Sequence, residues 1–242
     1  MYLFDANAIG LAGFFTRPFR DVIQPQASVV LPSVGGYDRA QTEAFQLREM
    51  VSIRSAHADT TGSLEEESRI TTAKAVVEGL NILDVITADR VVAMVSGEHQ
   101  RGQAESRIHL SGSHFENLRI HGRPVELEME TPLFDEHSTL SDLERLYSRE
   151  GSRSIPIVRL REGAYRTSLA RYYAEGSGWR RNGLAIEVPD FGRIYLAELI
   201  VRPSYRRLNM LRLELGSPVA GRVVVASASC NGLAGDTGKD DD

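Results

Sequence analysis

His109, His114 and His121 fall close together in the chain with Glu116 among them. Neutral imidazoles on neighbouring strands can bind zinc or another borderline metal, with a carboxylate completing the shell. No HxH or HExxH spacing is present, and position 114 has the opposite strand parity to 109 and 121. Exposed or hydrogen-bonded histidines are therefore the expectation, and neither a metal nor another cofactor is assigned. Glu126, Glu128 and Glu130 alternate with Val125, Leu127 and Met129. Three carboxylates on one strand face could hold calcium or serve glycoside chemistry, which needs two carboxyls facing across a cleft. A solvated sheet face that discourages edge pairing explains them more simply. The stretch LAGDTGKD departs from a phosphate loop, with Leu233 at the first glycine position and Asp240 where a magnesium-holding hydroxyl belongs. There is no G-x-S-x-G elbow, and Cys230 has no partner histidine identifiable in the sequence.

Between Arg145 and Arg181 the chain carries nine arginines against three acids, interleaved with tyrosines and the single tryptophan. Arginine forks and aromatic faces are what a glycan or single-stranded nucleic-acid surface uses. The candidate binding residues are therefore Tyr165, Arg166, Arg171, Tyr172, Tyr173, Trp179, Arg180 and Arg181. Two facts temper this reading. Lys74 and Lys239 are the only lysines, so basic charge is arginine everywhere. Tyrosines at regular spacing also serve cores. The net charge of −5 lies mostly in the tail Asp236–Asp242, and a near-neutral body makes nucleic acid an improbable partner.

The elements that must position these residues read as strands. A chain of 242 residues with 42% hydrophobic and 25% charged content can bury a substantial core. Residues 1–36 are punctuated by Pro18, Pro25, Pro32 and Gly35-Gly36 and suggest irregular chain around a short strand at Ala27–Leu31. FQLREMVSIRS places Phe45, Leu47, Val51 and Ile53 on one face, the period-two pattern of a half-buried strand. The acidic stretch TTGSLEEES then turns the chain into a long hairpin ending in Ile70–Val77. Two fragments, VEGLNI (77–82) and FENLRI (115–120), share an apolar–Glu–Gly/Asn–Leu–polar–Ile pattern, and NGLAI (182–186) repeats its core. Gly or Asn at that point suits a left-handed backbone angle or a bulge, so the fragments read as a shared device for turning one strand into the next. IYLAELIV is apolar on both faces and reads as a central strand; MLRLEL, GSPVAG and RVVVASAS read as a closing hairpin. Helix is expected only in an insertion at about 131–180: one helix after a capping box at Thr139/Asp142 or Ser141/Glu144, another in AYRTSLARYYAE. Asp84 and Asp89 are expected at turns, and the acidic tail 235–242 is expected to be disordered.

Over VVEGLNILDVITADRVVAMVSGEH and SGSHFENLRIHGRPVELEM the chain resembles bacterial proteins of the choice-of-anchor P type, across about residues 27–130. It is similar, more fully, to a group of uncharacterised bacterial β-rich proteins that share FGRIYLAELIV and MLRLELGSPVAG. The resemblance implies a β-rich fold and transfers no catalytic residue.

Together these readings imply an all-β domain over 1–234, an antiparallel sandwich or flattened barrel with a small helical insertion. The expected role is a non-catalytic structural or interaction protein that self-associates as a homo-oligomer or takes a protein partner. The alternative is a carbohydrate- or polymer-binding module built on the arginine, tyrosine and tryptophan residues named above. A hydrolase using Glu126, Glu128 or the histidines is a third reading, which requires a deep cleft where they converge. No membrane span and no basic n-region with a cleavage site is legible, so the chain as written reads as cytoplasmic, with a secreted mature form also compatible.

Overall fold

The computed structural model describes residues 3–148, 156–172, 178–202 and 205–230. Its elements run in chain order as follows. A long hairpin, β1 (Ala6–Arg17) and β2 (Asp21–Val30), replaces the irregular start that the prolines and glycines suggest. Gly13 lies where β1 and a neighbouring strand approach closely, since a Cβ there would stand 2.5 Å from the Arg222 carbonyl oxygen. Pro25 is tolerated because β2 is an edge strand, where a missing N–H costs no ladder bond. Next come β3 (Gly36–Thr42), β4 (Phe45–Leu47), β5 (Val51–Ile53), β6 (Ser55–Leu64), β7 (Ser68–Ile82) and β8 (Ile86–Gln100). FQLREMVSIRS is thus two short strands, β4 and β5, paired as a hairpin across Arg48 at φ 50°. Its burial pattern was legible and its reversal was not. The β6–β7 hairpin follows the expected course through the acidic turn.

Short strands β9 (Arg107–His109), β10 (His114–Glu116), β11 (Arg119–Ile120), β12 (Arg123–Pro124) and β13 (Leu127–Met129) lead to α1 (Thr131–Glu136) and α2 (Leu140–Ser148). The expected capping box is present: Thr139 N–H donates to Asp142 at 3.1 Å and Asp142 N–H donates to Thr139 Oγ1 at 3.1 Å. The second expected helix does not form. AYRTSLARYY is β15 (Tyr165–Ser168) and β16 (Ala170–Tyr172), after β14 (Ile157–Arg159). Tyr165 and Thr167 are buried on alternate positions with Arg166 turned out, and Tyr and Thr favour the pleat over the helix. The chain ends in β17 (Arg180–Asn182), β18 (Ala185–Val188), β19 (Gly192–Arg202), β20 (Tyr205–Leu215) and β21 (Ala220–Cys230). The tail 235–242 lies outside the described residues.

Two antiparallel sheets pack face to face, and neither closes into a barrel. The nine-stranded sheet runs β14-β15-β19-β20-β21-β1-β2, with the β17–β18 hairpin also on β19. The ten-stranded sheet is built on β4-β5-β7-β8-β11-β12, with β3-β6 continuing from β7 and β9 and β10 pairing β8; β13 and β16 form a small separate pair. Between the two large sheets Leu11, Phe15, Ile23, Leu199, Leu211 and Val225 meet Val77, Ile82, Ile86, Val91 and Val95, all buried. Among the described residues, no helix is long and apolar enough to cross a membrane.

Each large sheet is crossed by a transverse line where the strands it meets change which face their even-numbered residues take. In the ten-stranded sheet the line passes through Arg54, Gly79, Asp89 and Asn117, the positions skipped between Glu78↔Arg90 and Leu80↔Ala88 and between Glu116↔Arg90 and Arg119↔Thr87. Gly79 (φ 61°) and Asn117 (φ 51°) take the left-handed conformation on alternate strands. This explains the shared fragments: Val77 or Phe115 faces the core, Glu78 or Glu116 faces out, the left-handed residue shifts the phase, and Leu-x-Ile resumes inward. Asp89 is therefore mid-strand on this line and not at a turn; Asp84, at φ 54° after β7, is at one. NGLAI does something else: Gly183, at φ 59°, opens the two-residue turn between Asn182 and Ala185. The nine-stranded sheet has the corresponding line at Ala27, Gly10, Ala226, Met210 and Ala197. Its left-handed positions are alanines, Ala27 at 48°, Ala226 at 48° and Ala197 at 46°, again on alternate strands.

Candidate functional site

The alanine line shapes a groove on the outer surface. Where the phase shifts, outward side chains on either side of the line splay and leave a groove of about 420 Å³ on the outer face of the nine-stranded sheet. Register places its walls in rows. Beyond the line lies Arg166–Ile200–Arg207, on β15, β19 and β20, and nearer it Glu198–Asn209–Ser227–Ile9. On the other side come Arg212–Val224–Ala12 and then Glu214–Arg222.

The groove floor is a charged network. Glu198 is only 2% exposed, an expensive place for a carboxylate unless it is paired. Arg212 supplies that pairing from across the line with two hydrogen bonds of 2.7 Å, Asn209 Nδ2 donates at 3.3 Å, and Arg166 lies 3.5 Å away. Ser227 Oγ donates to Asn209 Oδ1 at 2.8 Å and fixes the amide. Arg212 also donates to Glu214 at 2.6 Å and covers the Tyr195 ring at 3.6 Å from its centroid. Burial alone would lower the Arg212 pKa, but the two carboxylates outweigh it and hold the guanidinium firmly charged. Burial likewise raises the Glu214 carboxyl, and the Arg212 hydrogen bond and charge overcome this to leave it below its ordinary range. Four arginines, Arg166, Arg207, Arg212 and Arg222, thus face two glutamates in the groove. Among the described residues Arg207 has no ion-pair partner, and the buried Nε atoms of Arg166 and Arg207 find no hydrogen-bond acceptor.

Of the sequence-derived binding residues, only Arg166 lines this groove. Tyr165 and Tyr172 are buried, so neither offers a ring face to a ligand; alternation along β15 sends Tyr165 inward and Arg166 outward. Arg171 is paired with Glu130 at 2.6 Å, Arg180 lies 3.6 Å from Glu187, and Arg181 rests 5.4 Å over Tyr172. Trp179 is partly buried against the core, and Tyr173 lies outside the described residues. The histidines also separate: His109 stands between Glu98 (3.6 Å) and Asp135 (3.8 Å), His114 meets Glu116 at 3.2 Å, and His121 occupies a turn at φ 50°. No group of three or more metal-ligating side chains forms among the described residues. Glu126 and Glu128 are exposed, and Glu130 is engaged by Arg171. Sequence reasoning missed Glu198, Arg207, Arg212, Glu214 and Arg222. A lone acid inside IYLAELIV was the available signal, because a carboxylate in a central strand requires a cation beside it.

Fold and groove together define an open antiparallel β-sandwich with a cation-lined outer face. Residues 2–158, well over half of the chain, match the family described as a domain of unknown function (DUF8256), and the chain belongs to that family. No curated protein and no solved structure matches it.

Proposed function

We propose that this protein is a non-catalytic interaction scaffold whose outer groove holds an acidic segment of a protein partner. The observation that carries the reading is the excess of arginine over glutamate in the groove, with Arg207 in no ion pair among the described residues. The buried Glu198 carboxylate holds Arg212 in place beforehand, so binding an anion there requires little reordering. A protein segment fits better than a sugar chain. Sugars stack on open aromatic faces, whereas Arg212 covers Tyr195 and Arg207 covers Tyr205, the latter at 5.1 Å. Titrating the protein with polyglutamate tests this. Saturable binding that weakens with salt and drops about tenfold in Arg207→Glu supports it. Undetectable binding at low salt refutes it, and tighter binding of an acidic polysaccharide than of polyglutamate would favour the glycan reading instead.

A further inference from the structure

We infer that the acidic segment is the β6–β7 turn of a second copy of this chain, an inference that rests on the groove reading above. The turn presents Leu64, 65% exposed, followed by Glu65, Glu66 and Glu67, all exposed. It is a rigid hairpin tip: Glu65 N–H donates to the Ser68 carbonyl at 2.9 Å, and Ser68 Oγ donates to the Glu65 carboxylate at 3.2 Å. Among the described residues none of the three glutamates forms an ion pair within 4.0 Å, so a run of three negative charges is held out with an apolar side chain beside it.

The groove offers the complement. In the row at its end, Arg166 and Arg207 flank Ile200, and Val158 continues the row beyond Arg166 with its side chain exposed. Two strand spacings separate the arginines, about 10 Å. Glu65 and Glu67 are two residues apart, at most about 7 Å, and their flexible side chains make up the difference. Leu64 can then lie on Ile200 while the carboxylates accept from the terminal guanidinium nitrogens of Arg166 and Arg207, their Nε atoms being buried. Charge-assisted bonds to arginine are directional, which sets the register of the tip in the row.

The tip belongs to the ten-stranded sheet and the groove to the outer face of the other, so the hairpin cannot fold back onto its own groove. Pairing is between copies and uses two different patches, a head-to-tail contact that propagates into a ring or a filament.

Sedimentation of the full chain over a range of concentrations tests the inference. The expected result is a mass that grows with concentration and shrinks with added salt. Glu65→Arg with Glu67→Arg, and separately Arg207→Glu, should each weaken association about tenfold or more, and mixing the two variants should restore it. Circular dichroism of each variant verifies that it is folded. A chain that stays monomeric while polyglutamate still binds through Arg207 overturns this inference and leaves the groove reading intact. Association unchanged by Arg207→Glu, in a protein that does not bind polyglutamate, overturns both. Folded variants that fail to recover on mixing overturn the pairing of tip with groove.

Discussion

Arg212 and Glu198 stand on opposite sides of the alanine line, and their two 2.7 Å hydrogen bonds cross it. The pair ties β19 to β20 where the ladder skips Ala197 and Met210. It therefore closes the seam and shapes the groove at once. Removing only the arginine leaves a carboxylate 2% exposed with weaker partners, Asn209 at 3.3 Å and Arg166 at 3.5 Å. Arg212→Met should cost about 3 kcal/mol and lower the melting temperature by about 10 °C. Adding Glu198→Gln removes the stranded charge and should return part of that loss. A double variant no more stable than Arg212→Met would show that the buried charge is not what the arginine holds.

The alanine line itself is strained, because an L-residue with a Cβ pays about 1–2 kcal/mol in the left-handed region. Ala197, at φ 46°, lies on β19, next to the middle strand β20 of the sheet. Glycine relieves that strain but loses about 0.5–1 kcal/mol through the unfolded chain, so Ala197→Gly should change stability by less than about 1 kcal/mol. Valine is stiff at Cβ and cannot adopt this angle cheaply, and the site is fully buried; Ala197→Val should cost more than about 2 kcal/mol. Urea denaturation of the two variants makes the comparison. Equal costs would mean that backbone angle is not the constraint.

The other line carries the same logic with different residues. Gly79 has φ 61°, and a Cβ there would stand 2.8 Å from Arg54 Cβ, so Gly79→Ala meets both backbone strain and a neighbour. Asn117, at φ 51°, tolerates the angle and donates to Asp89 at 2.6 Å. Gly79→Ala should lose about 2 kcal/mol, whereas Asn117→Gly should lose less than about 1 kcal/mol, exchanging an exposed hydrogen bond for an easier backbone. The reverse order in thermal melts would detach the repeated fragments from this role.

The residues that explain these lines also show how far the sequence could be read. VEGLNI and FENLRI were legible as left-handed or bulged positions because glycine and asparagine favour that angle, but β7 runs on through Gly79 where a turn is expected. The alanine line was not, because alanine carries no such mark and only the neighbouring strands impose the angle. β1 was hidden for a related reason: Gly10 and Gly13 look like loop residues but serve close approach, a Cβ on Gly10 standing 2.8 Å from Ala56 Cβ in the opposite sheet. AYRTSLARYY satisfied helical spacing through Tyr165, Leu169 and Tyr172, and the bend at Leu169, whose N–H donates to the Ala197 carbonyl at 2.9 Å, is a tertiary effect. The groove suffered most. Its arginines and glutamates come from β15, β19, β20 and β21, and only strand order brings them together.

Acid should weaken the fold before its carboxylates titrate. His99 is buried, with its Nδ1 3.2 Å from Ser106 Oγ, and burial pushes its pKa below the ordinary value. His57 shifts the same way, again with burial as the first cause. The folded chain thus takes up protons on both rings at lower pH than the unfolded chain, which does so near pH 6.5. Their contribution is fully present above that pH and drains away below it, at up to about 1.4 kcal/mol per pH unit for each ring. Carboxylates held low, such as Glu78 by the Ser55 hydroxyl, act in a separate window below about pH 4.5. In the interval just below pH 6.5 the slope therefore belongs to the histidines. His99→Gln keeps a neutral polar side chain beside Ser106 and should flatten the fall in melting temperature across that interval, leaving the residue due to His57. An unchanged slope in the folded variant would remove His99 from the account and place the acid sensitivity elsewhere.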